Sequence, residues 1–508
     1  MHDDYNLFSH FAAQFASHAA RELLTTGEGI SHTYRDIDER SARMAACLAR
    51  LGARPGDRVS VQAEKSPESL CLYLASLRGG FVYHPLNCAY KQGELEYFLT
   101  DAEPAVVICD PDREADIRII AARVGMPHVL TLDAFGHGTL SAAADVADPD
   151  EGRSVPRGRH DLAALLYSSG TTGRPKGVML SHLNLLSNTR ALVDAWEFTS
   201  DDRLLHALPI FHVHGLFDAL GCVLLSGASM RWLRGFNARD VVRHLPECTV
   251  LMGVPTYYTR LLDAPSFTKE VAANTRLFVS GSAPLRPETF AAFEARTGHS
   301  ILERYGMTET NMNTANPLHG ERKPGTVGPP LPNVEVRVVD DTDAVLGAGE
   351  IGHLQVRGPN VFVGYWKLPD RTAEDFTPDG FFRTGDTAVI DEDGYVSIVG
   401  RAKDVVITGG LNVYPKEIEL FIDALPGVRD SAVIGVPHPD LGEAVVAVVV
   451  ADGSLELDAG SIVEACKAQL AGFKAPKRVV LADELPRNTM AKVQKNVLRE
   501  SYKQLFHC

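Results

Sequence analysis

Residues 168–177 of this chain read Ser-Ser-Gly-Thr-Thr-Gly-Arg-Pro-Lys-Gly and follow the apolar run 162–167. The hydroxyls of Ser168, Ser169, Thr171 and Thr172 supply donors, and Gly170 and Gly173 let backbone N–H groups approach an anion closely. Lys176 adds a mobile positive charge. The chemistry this suits is polyphosphate binding at the end of a strand. The spacing departs from the Walker pattern, in which the lysine follows a glycine and leads into Ser or Thr at a helix start. Here Pro175 precedes Lys176, Gly177 follows it, and 178–180 reads as a strand, which disfavours a P-loop NTPase. A plain surface hairpin would account for the glycines and proline, but not for four hydroxyls beside two cations.

Four shorter segments carry further chemistry. Tyr305-Gly306-Met307-Thr308-Glu309-Thr310 offers a carboxylate and two hydroxyls, which suits an oxygen ligand to magnesium beside a nucleotide phosphate. Thr384-Gly385-Asp386 and Gly400-Arg401 admit two readings, an aspartate that accepts ribose hydroxyls or an ordinary Asp-Gly turn. The lysine-bearing stretch 487–495 closes the set.

The elements that position these segments follow from pattern. A chain of 508 residues has material for about two to four domains. With 45% hydrophobic and 23% charged residues it reads as a soluble globular protein, and no run approaches the roughly 20 apolar residues of a membrane helix. The net charge of −15, without a basic stripe, argues against nucleic acid as a partner. The acidic start, Met1-His-Asp-Asp-Tyr5, points to the cytoplasm. Eight scattered cysteines with no C-x-x-C pair indicate neither a zinc cluster nor a disulfide framework.

From 30 to about 320, short β-rich runs (59–63, 80–83, 250–254, 276–280, 300–304) alternate with helical stretches at 69–77 and from near 256 and 286. This predicts an α/β layout with parallel strands, with the loops 168–177, 280–285 and 305–310 converging beyond the strands' carboxyl ends. Residues 324–400 change to short strands and turns (334–339, 353–356, 395–399). After Gly400-Arg-Ala-Lys-Asp404 an α+β unit follows, with strands at 430–436 and 444–450 and helices at 415–424 and 459–470.

Taken in order, the five motifs resemble those of the acyl-adenylate-forming superfamily of acyl-CoA synthetases, peptide-synthetase adenylation domains and luciferases, over nearly the whole chain. The resemblance implies a large amino-terminal portion, 1–402, of two α/β subdomains to about 323 plus a small β-rich subdomain at about 324–402. A mobile α+β carboxy-terminal lid, 403–508, follows. It implies ATP, Mg²⁺ and coenzyme A. The loop from Ser168 to Lys176 and Thr308 would hold the ATP phosphates, with Glu309 on Mg²⁺. Gly281, Ser282 and Ala283, with Tyr305, Gly306 and Met307, would line the nucleotide, and Asp386 and Arg401 would take the ribose. Lys492 would be the adenylation lysine, Lys403 the hinge, and Gly409 and Gly410 the passage for the CoA arm. The chain departs from the family in having Ala491 where glycine usually precedes that lysine, which keeps Lys495 as a reserve.

Arg304 bears on which acid is activated. A cation in a pocket for an aliphatic acid is costly unless the substrate brings an anion, and a second carboxylate matches the guanidinium fork. The competing reading pairs Arg304 with Glu303 or Glu309. The runs 206–215, 252–256 and 303–314 resemble those of malonyl-CoA synthetases, with Val213 and Gly235 as departures and Arg234 one place before the usual cation. His212 and His214 are read as pocket residues and Arg286 as a second carboxylate anchor. Malonate, with methylmalonate beside it, is the expected small-molecule acid. The alternatives are another short dicarboxylic, monocarboxylic or aryl acid, and a stand-alone adenylation module that loads a carrier protein. The linear chain leaves the oligomeric state open.

Overall fold

The computed structural model describes residues 4–126, 128–168, 175–408, 411–439, 441–470, 472–488 and 492–506. By its internal contacts the chain divides into two units, Met1–Glu335 with Val356–Gly380, and Val336–Gln355 with Phe381–Cys508.

The first unit holds two sheets. In one, the strands run in the order Asn311–Ala315, Leu302–Met307, Leu277–Ser280, Val250–Gly253, Arg203–His206, Ser229–Trp232, Glu22–Thr26, Ser31–Thr33. The other runs Gly364–Tyr365, Lys176–Ser181, Leu162–Ser168, Val82–Pro85, Arg58–Gln62, Val106–Cys109, His128–Thr131. The interior strands are parallel and read as continuous apolar runs, such as Leu277-Phe-Val-Ser280, because helices bury both faces. Helix limits follow local chemistry. Ser66 and Ser69 form a capping box in front of Pro67–Arg78, and Pro287–Thr297 starts on proline and stops at Gly298 with φ +80°.

Parallel pairing fails at the sheet edges. Lys176–Ser181 runs antiparallel to Leu162–Ser168. The strand predicted over 300–304 continues to Met307 and returns as Asn311–Ala315, whose antiparallel ladder supplies its hydrogen bonds. Tyr305, Gly306 and Met307 therefore lie in a strand, and 308–310 is the turn. Residues 206–215 lead into a π-helix, His214–Ala219, which passes directly into Leu220–Ser226 and which the sequence pattern does not signal.

In the second unit a sheet of Glu335–Val339, Gly352–Arg357, Phe382–Ile390 and Val396–Arg401 accompanies a second sheet. That second sheet orders Leu411–Val413, Val406–Thr408, Gly442–Ala451 and Val428–His438, and Arg478–Ala482 pairs with Gly442–Ala451. The helices Pro415–Asp423 and Ala459–Gln469 bury Ile418, Ile422, Ile462 and Cys466 with one face of it, and Leu485 and Leu498 pack on the other. The sequence boundary at 402–403 lies inside this unit. Among the described residues no helix is long and apolar enough to cross a membrane.

One buried carboxylate ties three strand ends of the first unit together. Asp202 accepts from Arg276 Nε and Nη2 at 2.8 Å each, from the Thr249 hydroxyl at 2.7 Å and from the Thr199 N–H at 3.0 Å. Burial pushes its carboxyl up, but Arg276 and the other donors outweigh this and hold it below the usual carboxylate range. Its stabilisation is present above the unfolded-state value and is lost as pH falls through the folded one. Asp202→Ala is expected to cost about 2–3 kcal/mol near pH 7, read from the denaturation midpoint at unchanged slope. The difference from the parent should shrink toward about pH 3.

Candidate functional site

Ser168 pairs with Lys176 across the antiparallel strands; Ser169, Gly170, Thr171, Thr172 and Gly173 lie outside the described residues. The Lys176 ammonium is 3.6 Å from Asp375 Oδ2 and 3.9 Å from the centre of the Tyr365 ring. The Tyr365 hydroxyl donates to Glu309 Oε1 at 3.3 Å. The Tyr365 N–H donates to the Thr372 hydroxyl at 2.9 Å, and the Phe362 N–H donates to the Glu309 carbonyl at 2.8 Å. Lys176 and the buried Glu309 are thus held on either side of one tyrosine. Thr308 sits half-buried in the same turn. Among the described residues no group of three or more His, Cys, Asp or Glu could hold a metal ion.

The second cluster is sealed from water. Arg304 and Asp218 have side chains 1% exposed each, and Arg304 Nη2 lies 3.8 Å from Asp218 Oδ2. Burial lowers the guanidinium below its ordinary value and pushes Asp218 up to about 7, against the pull of Arg304. The carboxylate facing Arg304 is therefore Asp218, a residue of the π-helix, rather than Glu303 or Glu309. Glu303 takes the Gly325 N–H at 3.2 Å, and burial pushes it up to about 7.

Gly281 fits against the guanidinium face: a Cβ there would lie 2.4 Å from Arg304 Cζ. Ser282, at φ +70°, brings its hydroxyl within 3.4 Å of His214 Nδ1, and Ala283 follows half-buried. Burial holds His212 down to about 4, and burial with Arg304 holds His214 well below its ordinary value, so both imidazoles are neutral. The loop that carries them is fixed from below. Lys65 donates to His206 Nδ1 and the carbonyls of His206 and Leu208 at 2.8–2.9 Å, and His206 Nε2 lies 2.9 Å from the Gly215 carbonyl. Gly215 admits no side chain, because a Cβ would lie 2.0 Å from the Pro209 carbonyl.

Of the three loops expected to converge, 280–285 meets Arg304 and His214, and Lys176 meets Glu309 through Tyr365, while 169–174 lies outside the described residues. Arg286 is the half-buried residue before Pro287 at the start of a helix. Arg234 pairs with Glu28 at 3.3 Å and lies over Phe135, so its charge is engaged there. Asp218, Tyr365 and Asp375 were not visible as site residues. The four-residue step from His214 to Asp218 and the run Gly364-Tyr-Trp366 are their only marks in the sequence.

The second unit carries its own cluster. Asp386 and Arg401 are cross-strand partners, paired at 2.7 Å, and Asp386 is buried. Lys403 is lowered to about 8 by burial and by Arg401, Lys492 and Arg499, against Asp404. Lys492 is exposed, yet its ammonium is also held down, by desolvation and then by Arg401. Lys495 is committed elsewhere, to Glu419 at 2.5 Å, whose carboxylate also takes the Val433 N–H. Gly409, Gly410 and Ala491 lie outside the described residues.

Residues 8–366 match the model of the family described as AMP-binding enzyme, and 417–492 that of the AMP-binding enzyme C-terminal domain. The mitochondrial malonate–CoA ligase ACSF3 of Mus musculus is 38% identical, over 94% of this chain and 87% of its own. The malonate–CoA ligase of Arabidopsis thaliana is 34% identical, over 98% and 89%. The crystal structure of ATP-bound MatB from Rhodopseudomonas palustris matches with a TM-score of 0.97 at 53% identity, over 99% of this chain and 100% of that one.

The packing of Gly281 on Arg304 has a measurable price. Gly281→Ala is expected to destabilise the protein by about 1–3 kcal/mol, because a buried guanidinium cannot swing away as a surface one would. A denaturation midpoint equal to the parent's would contradict this packing.

Proposed function

We propose that this chain, which belongs to the AMP-binding enzyme family, joins malonate to coenzyme A at the expense of ATP, with methylmalonate as a second substrate. One carboxylate oxygen of the acid attacks the α-phosphorus of ATP, the bond to pyrophosphate breaks, and an acyl-AMP remains. The CoA thiolate then attacks the acyl carbon and AMP leaves with the oxygen. Arg304 is the observation that carries the choice of acid. It is a buried cation with its Nε and Nη2 hydrogen-bonded to nothing among the described residues, and a monocarboxylate would bring it no second charge.

The other residues take roles that fit their surroundings. Lys176, with Ser168 to Gly173, cradles the phosphates, and Thr308 adds a hydroxyl. Gly281, Ser282 and Ala283, with Tyr305 to Met307, line the nucleotide, and Asp386 with Arg401 takes the ribose hydroxyls. Glu309 fits Mg²⁺, since a hard cation that enters on nucleotide phosphates needs only one or two protein carboxylates. When bound it would neutralise phosphate charge. Lys492 is assigned to the charge that accumulates in adenylation, because Lys495 is consumed by Glu419. Lys403 as hinge, Gly409 and Gly410 as the CoA passage, and His212, His214 and Arg286 as acid-pocket residues complete the reading. A cytoplasmic address belongs to it too, supported by seven free thiols among the described cysteines.

AMP release with ATP and CoA, measured for malonate, methylmalonate, succinate, acetate, propionate and benzoate, tests this. Malonate or methylmalonate is expected to lead by more than about tenfold, and Arg304→Ala to lower kcat/KM for malonate by about 10²-fold or more. A lead by monocarboxylates would leave a ligase and remove the dicarboxylate reading. Lys492→Ala is expected to lower acyl-AMP formation by about 10²–10³-fold. Adenylation that survives in this variant and is lost in Lys495→Ala would transfer the role.

A further inference from the structure

Arg304 and Asp218 make an unusual pair. Both are buried at the side chain, yet 3.8 Å separates Nη2 from Oδ2, beyond hydrogen-bond reach. Arg304 Nε, Arg304 Nη2 and Asp218 Oδ2 are all buried without a hydrogen-bond partner. Nε and Nη2 are the two donors on one side of a guanidinium, the arrangement that grips a carboxylate bidentately. An ion pair left open in this way inside a protein is poor as a structural device, because burial has been accepted without the hydrogen bonds that offset it.

We propose that Asp218 is a specificity-determining residue that binds a proton when the second carboxylate of the substrate docks on Arg304. The inference rests on the dicarboxylate reading above. With Asp218 ionised, a second carboxylate would leave this sealed group with a net negative charge, and two carboxylates at one site cannot both stay ionised cheaply. With Asp218 protonated, the guanidinium and the substrate carboxylate balance. The Asp218 O–H then donates to the substrate, which satisfies the oxygen that otherwise has no partner. A monocarboxylate places a methyl group or hydrogen here and takes up no proton.

The surroundings leave Asp218 as the group that titrates. Arg304 is the charge facing it from Leu302–Met307. His214 on the π-helix itself and His206 on Arg203–His206 are both held well below ordinary histidine values by burial. Burial, and then Asp218, push Cys222 of Leu220–Ser226 well above the usual thiol value. Asn188 and Thr189 on His182–Ala195, and Asn311, Asn313 and Thr314 on Asn311–Ala315, carry no charge, while Arg190 turns to His10 at 3.3 Å. Tyr73, whose ring meets Phe217, is pushed far up by burial. Asp218, pushed up to about 7, is poised to take the proton near neutrality. Glu303, next to Arg304 in sequence, is raised to the same range, so a variant must separate the two.

The test is the pH profile of kcat/KM for malonate and for propionate, in the parent and in Asp218→Asn. The parent's value for malonate should fall about tenfold per unit above about pH 7–8, and that for propionate should stay level. Asp218→Asn, whose amide donates at every pH, should remove the decline while still using malonate. A decline that persists in Asp218→Asn belongs to Glu303 or another group and overturns the proposal, as does a level malonate profile in the parent. Malonate preference with a level profile overturns this inference alone. No dicarboxylate preference at any pH removes the reading beneath it as well. If Asp218→Asn does not fold, calorimetric titration of the parent with malonate decides. It is run with a non-hydrolysable ATP analogue at pH 8 in two buffers of different ionisation enthalpy. Uptake approaching one proton per malonate is expected, and none is the overturning result.

Discussion

A guanidinium enclosed in protein constrains much of the first unit. Arg304 can stay charged there only with a counter-charge nearby and with backbone close enough to exclude water. Asp218 supplies the first, and Gly281 and the strand ends around it supply the second. Asp218 reaches this position through a π-helix, an arrangement that sequence propensity disfavours and that persists where it serves a site. The anchoring of that element by Lys65, His206 and Gly215 is the support such a segment needs. Three buried hydrogen bonds from one ammonium hold the entry to it, and a glycine lets the carbonyl of Pro209 approach.

The nucleotide side is organised differently. Lys176, Tyr365 and Glu309 form a line of contacts from the strand Lys176–Ser181 to the turn at 308–310, with Asp375 at the lysine end. A cation and a carboxylate would attract each other directly in a dry site. The tyrosine ring stands between them, its face receiving the cation and its hydroxyl serving the carboxylate. In the second unit Lys495 pairs with Glu419, while Lys492 has no ion pair among the described residues.

Much of this was legible in the sequence, for identifiable reasons. The apolar runs at 250–254 and 276–280 are buried on both faces and lie within a residue or so of the observed strands, and the helices 415–424 and 459–470 were readable to within a residue at their ends. The segments around Lys176, Glu309 and Asp386 stood out because glycine, hydroxyl and charge occur together there, whereas Lys492 was marked only by the resemblance of its lysine-bearing stretch. Edge strands were misjudged, since antiparallel return strands such as Asn311–Ala315 carry polar residues that read as loop. Asp218, Tyr365 and Asp375 escaped notice because their meaning depends on contacts with residues 86, 56 and 199 positions away, Arg304, Glu309 and Lys176, which no local pattern records.

The contact between Gly281 and Arg304 joins two tasks in one piece of backbone. The loop assigned to the nucleotide rests on the cation assigned to the acid, so neither position is free to vary by itself. A smaller residue at 304 would open the space that a side chain at 281 lacks, and a side chain at 281 would in turn leave no room for arginine. Replacements at the two positions should therefore be strongly non-additive. A lineage that changed its acid could drift at 281 afterwards, and would then find the way back to arginine closed.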